Sequence, residues 1–428
     1  MPPYGSPAQP SRSTGPSRHR RGRGRLPVLG SLVFAAVLAA IAALFAPVSR
    51  ADAAPALEPV ANFGANPGAL NMYVYKPASL PDNAPVVVAL HGCKQNAQIY
   101  ADNAGLTKFA DRNQFMLVFA EQTQSNNWDK CFNWFQPTDN KRGQGEAASI
   151  RQMVAHADQS LGADGSRAYV TGLSAGGVMT SVMLSTYPEV FKAGAVVAGI
   201  PYGCTDGNSP FTCMNPGVDG TPEEWAKRVR DAHPGYQGPW PRMAIWAADN
   251  DTKVVPKNAD ELRDQWTALH GLDQEPDKSD TLPPNDTRRD QYLAQDGSVA
   301  VEVNKVPVIG HGLPVDPGSG EQQCGTATTY FFDSICSSYW ITGFFGLSEG
   351  SPGPDPTPTP SQSTTPPAAA CFTANNYEQV KAGRATTSGG YVYAKGSEQE
   401  MGLYNTATTH TLKESPTGYF TISDDRCP

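Results

Sequence analysis

The chain has 428 residues, with 33 Lys and Arg against 41 Asp and Glu for a net charge of −8, and it contains 41 Gly, 38 Pro and 8 Cys. Seven of the arginines and one aspartate lie in residues 1–53, so the remainder carries 26 basic and 40 acidic residues, a net charge of −14. That acidity argues against a nucleic-acid or anionic-membrane partner and suits a soluble protein with a neutral substrate.

The first residues do not read as fold. Arg18, Arg20, Arg21, Arg23 and Arg25 form a basic head, Leu29 to Phe45 is almost wholly apolar, and Ala51-Asp52-Ala53 offers small residues for cleavage. Residues 1–53 are therefore expected to be a secretory signal, and the mature chain to be extracellular with no membrane attachment once the signal is removed. All eight cysteines lie beyond it, which in an exported chain reads as a disulfide framework. Proximity in sequence pairs Cys204 with Cys213, Cys324 with Cys336 and Cys371 with Cys427, leaving Cys93 for Cys131. No CxxC pair or histidine cluster supports a metal site, and no cofactor is expected.

In chain order, Asn71 to Lys76 alternates like a strand, and Ala84 to Leu90 is a continuously apolar strand of the kind buried on both faces. Ile99 to Asn113 reads as a helix, Phe115 to Ala120 as a buried strand and Glu146 to Leu161 as a helix. Ala168 to Thr171 is a short β run, followed by a helical segment from Val178 to Tyr187 that Pro188 ends. Strands are expected at Ala193 to Gly199, Met243 to Trp246 and Val299 to Val308, with a helix at Asn258 to Leu269. Strands alternating with helices over this length imply an α/β unit on a mostly parallel sheet, spanning residues 54–348.

Composition changes at Glu349. Residues 349–370 are rich in Pro, Thr and Ser and are expected to form an extended spacer. Residues 371–428 then form a second unit of 58 residues, near the limit for an independent core, which a Cys371–Cys427 bond would close. Runs such as Tyr391-Val392-Tyr393 and Tyr419-Phe420-Thr421 make it a small β module.

One stretch carries chemistry. Gly172-Leu173-Ser174-Ala175-Gly176 fits the G-x-S-x-G nucleophile elbow, and it sits between a strand and a helix as that motif requires. Ser174 is then a nucleophile, which needs a base and an acid to orient the base. His311 lies between Gly310 and Gly312 at the end of a strand, whereas His233 and His270 occupy polar or helical contexts. The loop after Trp246 offers Asp249 and Asp251, between which spacing does not decide. His91-Gly92-Cys93 follows a buried strand, and the backbone amides of Cys93 and Ala175 are candidate oxyanion donors. His91 itself reads as a buried, hydrogen-bonded histidine. A histidine base must be neutral, so activity is expected to fall as pH drops through roughly 6 to 7.

LHGCKQNA at 90–97, CFNWF at 131–135, GLSAGGVM at 172–179, GIPYGC at 199–204 and GHGLPVDPG at 310–318 together resemble the extracellular poly(3-hydroxybutyrate) depolymerase family of esterases. The resemblance spans most of residues 60–345 and is shared with feruloyl and acetylxylan esterases. It implies an α/β-hydrolase fold with the type 1 arrangement, and it selects Asp251, with Val254 in the family's valine position and Ala247-Ala248 in place of its His-Gly. The segment 371–428, with Asn376-Tyr377, Gly383-Arg384-Ala385 and Met401-Gly402-Leu403, resembles the substrate-binding module of such enzymes, with Gln379 where a histidine is expected. The resemblance implies a monomeric serine esterase acting on insoluble polyester, with Phe132, Trp134 and Tyr202 lining the acyl pocket. Its rivals are a feruloyl or acetylxylan esterase and a non-catalytic adhesion protein on the same fold.

Overall fold

A computed structural model describes residues 55–348, 370–388, 390–397, 399–414 and 420–424. The expected signal, the spacer up to residue 369, Tyr419 and Cys427 lie outside them. The chain divides after Glu349 into two compact units.

The first unit opens with strands β1 (Glu58–Val60), β2 (Asn71–Tyr75) and β3 (Ala84–Leu90), and all seven residues of β3 are buried. Their side chains feed two separate cores: Val86, Val88 and Leu90 pack on one face of the sheet, Val87 and Ala89 on the other. A strand covered on both faces has no polar position to spare, which is why its sequence shows no alternation. The single helix expected after it is two, α1 (Ala97–Ala104) and α2 (Leu106–Asn113), broken at Gly105. There φ is +77°, and a Cβ would lie 2.7 Å from the Cys324 sulfur, so a remote segment imposes the break.

Strand β4 (Met116–Glu121) precedes the long helix α3 (Gly145–Leu161), strand β5 (Ala163–Leu173), helix α4 (Ala175–Thr186) and strand β6 (Phe191–Val197). Two helices absent from the sequence reading come next, α5 (Pro210–Met214) and α6 (Pro222–Ala232). Helix α6 was legible: Thr221 and Glu224 form a reciprocal capping box with Pro222 in the first turn. Strand β7 (Arg242–Ala248) and helix α7 (Lys257–His270) lead to a hairpin also not anticipated, β8 (Lys278–Leu282) and β9 (Thr287–Leu293), and then to β10 (Val299–Val306). Short strands β11 (Leu313–Val315) and β12 (Phe331–Asp333) and helix α8 (Ser337–Phe345) complete the unit.

The ten-stranded sheet runs β1-β2-β4-β3-β5-β6-β7-β10-β9-β8. From β4 to β10 its six central strands are parallel, with antiparallel strands at both edges. This is the α/β-hydrolase architecture, and it gathers the loops after β3, β5, β7 and β10 along one sheet edge. Three disulfides, Cys93–Cys131, Cys204–Cys213 and Cys324–Cys336, are those expected. Among the described residues no helix is long and apolar enough to cross a membrane.

The described residues of the second unit form two three-stranded sheets. Strands β13 (Ala370–Asn375), β17 (Thr409–Glu414) and β18 (Phe420–Ile422) form one. Strands β14 (Ala385–Ser388), β15 (Tyr391–Ala394) and β16 (Glu400–Leu403) form the other, and the short helix α9 (Asn376–Lys381) accompanies them. Ala385, Val392, Ala394, Met401, Leu412 and Phe420 make its small core. Cys371 is disulfide-bonded, and its expected partner Cys427 lies outside the described residues.

Candidate active site

Ser174 occupies the one residue between β5 and α4, at φ 55° and ψ −117°. A non-glycine residue held in so sparse a region costs about 1–3 kcal/mol, which surrounding structure must offset. It does so through backbone bonds on both sides: the Ser174 N–H donates to the Val197 carbonyl at 2.9 Å, and the Val178 N–H donates to the Ser174 carbonyl at 2.8 Å. The turn is also too tight for side chains beside it. A Cβ on Gly176 would stand 2.1 Å from the Leu90 carbonyl oxygen, and one on Gly172 would stand 2.4 Å from that of Gly176.

The loops after β7 and β10 bring their residues to this turn. His311 Nε2 lies 2.8 Å from Ser174 Oγ, and His311 Nδ1 lies 2.7 Å from Asp251 Oδ2. Because a carboxylate only accepts, Nδ1 carries the proton and Nε2 is left to accept from the serine hydroxyl. The second Asp251 oxygen accepts the N–H groups of Lys253 and Val254 at 2.8 and 2.9 Å, which fixes the plane of the carboxylate. Asp251 is 4% exposed, whereas Asp249 faces solvent. Geometry thus separates two aspartates that spacing did not.

On the other side of Ser174, the loop after β3 presents Cys93. The Gly92 N–H donates to Gln95 Oε1 at 2.8 Å and the Lys94 N–H to the Asp129 carbonyl at 2.6 Å. Among the described residues the Cys93 and Ala175 amides have no acceptor, so both are open to a developing oxyanion. The Cys93–Cys131 bond pins this loop to the segment after β4.

His91, just behind, is wholly buried and not part of the relay. Its Nε2 accepts the Gln122 N–H at 3.0 Å, so Nδ1 is the donor, to the Gly92 carbonyl at 2.7 Å. Burial pushes its imidazole down to about 4, which keeps it neutral. Beneath lies Glu146, whose carboxyl burial raises to about 8, opposed by amide donors from Asn133 and Gln122. These bonds tie helix α3 to the Cys131–Trp134 segment and hence to the Cys93 loop.

Phe132, Trp134 and Tyr202, expected in the acyl pocket, do not line the cleft. Phe132 is 0% exposed against the His91 ring, with centroids 5.0 Å apart, and Trp134 and Tyr202 pack with it in the core under α4. Trp134 and Tyr202 stand beside Val178 and Val182 of α4, the helix that begins at the serine turn. The cleft, about 180 Å³, is lined instead by Gln95, Leu173, Met214, Lys253 and Tyr330 around Ser174 and His311, with Lys94 at its edge. Leu173 was legible as the residue before the serine. Met214 and Tyr330 were not, because loops far away in sequence deliver them. The Cys204–Cys213 bond anchors the short helix α5 that ends in Met214, whose carbonyl accepts the Val255 N–H at 3.0 Å, and Tyr330 stands edge-on to His311 with ring centroids 6.4 Å apart.

The Esterase PHB depolymerase family model matches residues 69–279. Poly(3-hydroxyalkanoate) depolymerase C of Paucimonas lemoignei is 48% identical over 294 residues, covering 68% of this chain and 70% of that protein. An acetylxylan esterase of Coprinopsis cinerea is 37% identical over 59% of this chain and 68% of its own length. Feruloyl esterase B of Thermothelomyces thermophilus is 36% identical over 57% of this chain and 86% of its own. Among solved structures, an acetyl xylan esterase from Aspergillus awamori superposes with a TM-score of 0.54 at 31% identity, covering 60% of this chain and 94% of that one.

Proposed function

This chain belongs to the Esterase PHB depolymerase family and is a carboxylic ester hydrolase, and we propose from that premise that it is a secreted, monomeric serine esterase hydrolysing poly(3-hydroxybutyrate) or a related short-chain polyester. The observation that carries the mechanism is the unbroken line of hydrogen bonds, 2.8 Å and 2.7 Å, from the Ser174 hydroxyl through His311 to Asp251. Ser174 Oγ attacks the ester carbonyl as its proton passes to His311 Nε2, and the oxyanion is received by the amides of Cys93 and Ala175. The imidazolium returns the proton to the departing alkoxide, leaving an acyl-serine. Water, deprotonated by the same nitrogen, then releases the hydroxy acid and restores the serine.

Polyester is favoured over other esters by the 48% identity to a poly(3-hydroxyalkanoate) depolymerase, the highest among the relatives above. The C-terminal unit supports the same reading. It leaves Tyr377, Tyr391, Leu403 and Tyr404 exposed, with the Tyr377 and Tyr404 rings 5.6 Å apart, a surface suited to an insoluble chain that cannot diffuse into a cleft. Three disulfides are what an oxidising, extracellular setting preserves. A second reading, an acetylxylan or feruloyl esterase, is favoured by the superposition on an acetyl xylan esterase. Clearing of a poly(3-hydroxybutyrate) emulsion, set beside acetate or ferulate release from xylan, separates the two; release from xylan without clearing sinks the polyester reading.

A further inference from the structure

Among the described residues of the catalytic unit, four large apolar side chains are exposed: Ile99 at 37%, Phe211 at 79%, and Trp128 and Val308 at 81% each. Single exposed apolar residues scattered over a surface need no explanation. These are not scattered. Ile99 follows β3, Trp128 follows β4, Phe211 follows β6 and Val308 follows β10, so all four leave the sheet at the carboxyl ends of its parallel strands, the edge that holds Ser174.

Three of them are tied directly to the cleft. Trp128 adjoins Asp129, whose carbonyl accepts from cleft-lining Lys94; Phe211 lies three residues before Met214, and Val308 three before His311. Their loops are also held still. On either side of Trp128, the Cys131 N–H donates to Asn127 Oδ1 at 3.2 Å, and Phe211 sits in a helix cross-linked through Cys213. Val308 stands at φ +74°, a conformation hostile to a β-branched residue, with its carbonyl held by Asn250 Nδ2 at 2.9 Å. Exposure and backbone both make valine a costly choice there, and neither cost brings any packing inside the unit.

We propose that Trp128, Phe211 and Val308 form an adsorption rim by which the catalytic unit itself seats its cleft on a solid aliphatic polyester. The proposal rests on the polyester reading above. A cleft of about 180 Å³ encloses only a short stretch of chain, so in a solid the neighbouring chains must meet the surface around it. Rigidly presented apolar groups meet them with little loss of conformational freedom. A second copy of this protein on the rim would seal the cleft from any substrate, which argues for the polymer as occupant.

The test uses the full chain with Trp128→Ser, Phe211→Ser and Val308→Asn combined. In a Ser174→Ala background, adsorption to poly(3-hydroxybutyrate) particles should fall roughly tenfold on losing three buried apolar contacts. With Ser174 intact, emulsion clearing should fall in step while kcat/KM on p-nitrophenyl butyrate stays within about twofold. Unchanged adsorption overturns the rim, as does an equal fall on the soluble ester, or a dimer of the parent in sedimentation that the triple variant loses. The two readings fail separately: a parent that adsorbs through the rim yet releases no hydroxy acid sinks the polyester reading alone, and a parent that clears the emulsion while the triple variant adsorbs equally sinks the rim alone.

Discussion

Ser174 is held in a backbone conformation that its own side chain disfavours, and the proposed nucleophilic role supplies a reason to hold it there. Ser174→Ala should abolish the nucleophile, lowering kcat on soluble esters by about 10⁴-fold or more, yet keep the strain at φ 55°. Ser174→Gly should be equally inactive but more stable than the alanine variant by about 1 kcal/mol, since glycine enters that region freely. Urea unfolding followed by tryptophan fluorescence reads the difference in the catalytic unit alone, because all seven tryptophans lie between residues 128 and 340. His91 supplies a second prediction. Between pH 6.5 and about 4 the unfolded chain binds a proton at this position that the folded chain refuses, so stability falls with pH by about 1.4 kcal/mol per unit. The stability gap between the parent and His91→Gln should therefore narrow by about 3 kcal/mol over that interval; a constant gap contradicts a buried neutral imidazole. Ser174 and His311 were legible in the sequence because each sits in a local pattern, glycines around a strand end. Spacing alone left Asp251 and Asp249 open, since both occupy one loop; the family resemblance chose Asp251, and the fold turns that one inward.

Loops rather than helices decide how this site is built. The Cys93–Cys131 bond joins the connections after β3 and β4 across 38 residues, and its loss should cost about 4 kcal/mol on the loop-entropy model. Replacing both cysteines by serine should also lower kcat on a soluble ester by roughly 10- to 100-fold with little change in KM, because the Cys93 amide loses its fixed aim at the oxyanion. A fall in stability with kcat unchanged would show that the bond braces the fold without ordering the donor. Helices and strands with strong apolar patterns, such as β3, β4 and α4, were readable from periodicity. The β8–β9 hairpin was not: four of the five residues of β8 are exposed, so nothing in its pattern marks it as part of the main sheet. The misplacement of Phe132, Trp134 and Tyr202 has a related cause. Large aromatics near a motif are as well suited to filling space under a helix as to lining a pocket, and burial follows from neighbours that lie far off in sequence.

On the proposed function the two units share a physical problem, with ester cleavage in the first and added attachment to a solid in the second. Ending the chain after Glu349 should leave kcat/KM on soluble esters within about twofold and cut clearing of a polymer emulsion roughly tenfold or more, through loss of local concentration. The residual adsorption should then depend on Trp128, Phe211 and Val308. In the small unit, Gln379 stands where the resemblance leads one to expect a histidine. It is fully buried, bonding the carbonyls of Phe372 and His410 and accepting from Arg384 Nε. Its task is to join two strands to a turn, while Tyr377, Tyr391 and Tyr404 are aromatic side chains that this unit leaves exposed.

By itself the sequence determined the class of sheet, the disulfides of the catalytic unit, the serine and the histidine. Each is set by short-range physics: apolar runs that must be covered, cysteines close together in an exported chain, and glycines where a tight turn leaves no room for a Cβ. Tertiary structure alone decided which side chains wall the cleft and that the exposed apolar residues share one edge, and it turned inward the aspartate that only resemblance had singled out. Those outcomes depend on loops from five or more strands meeting above a single sheet, and the meeting is governed by twist, register and cross-links that no local pattern encodes.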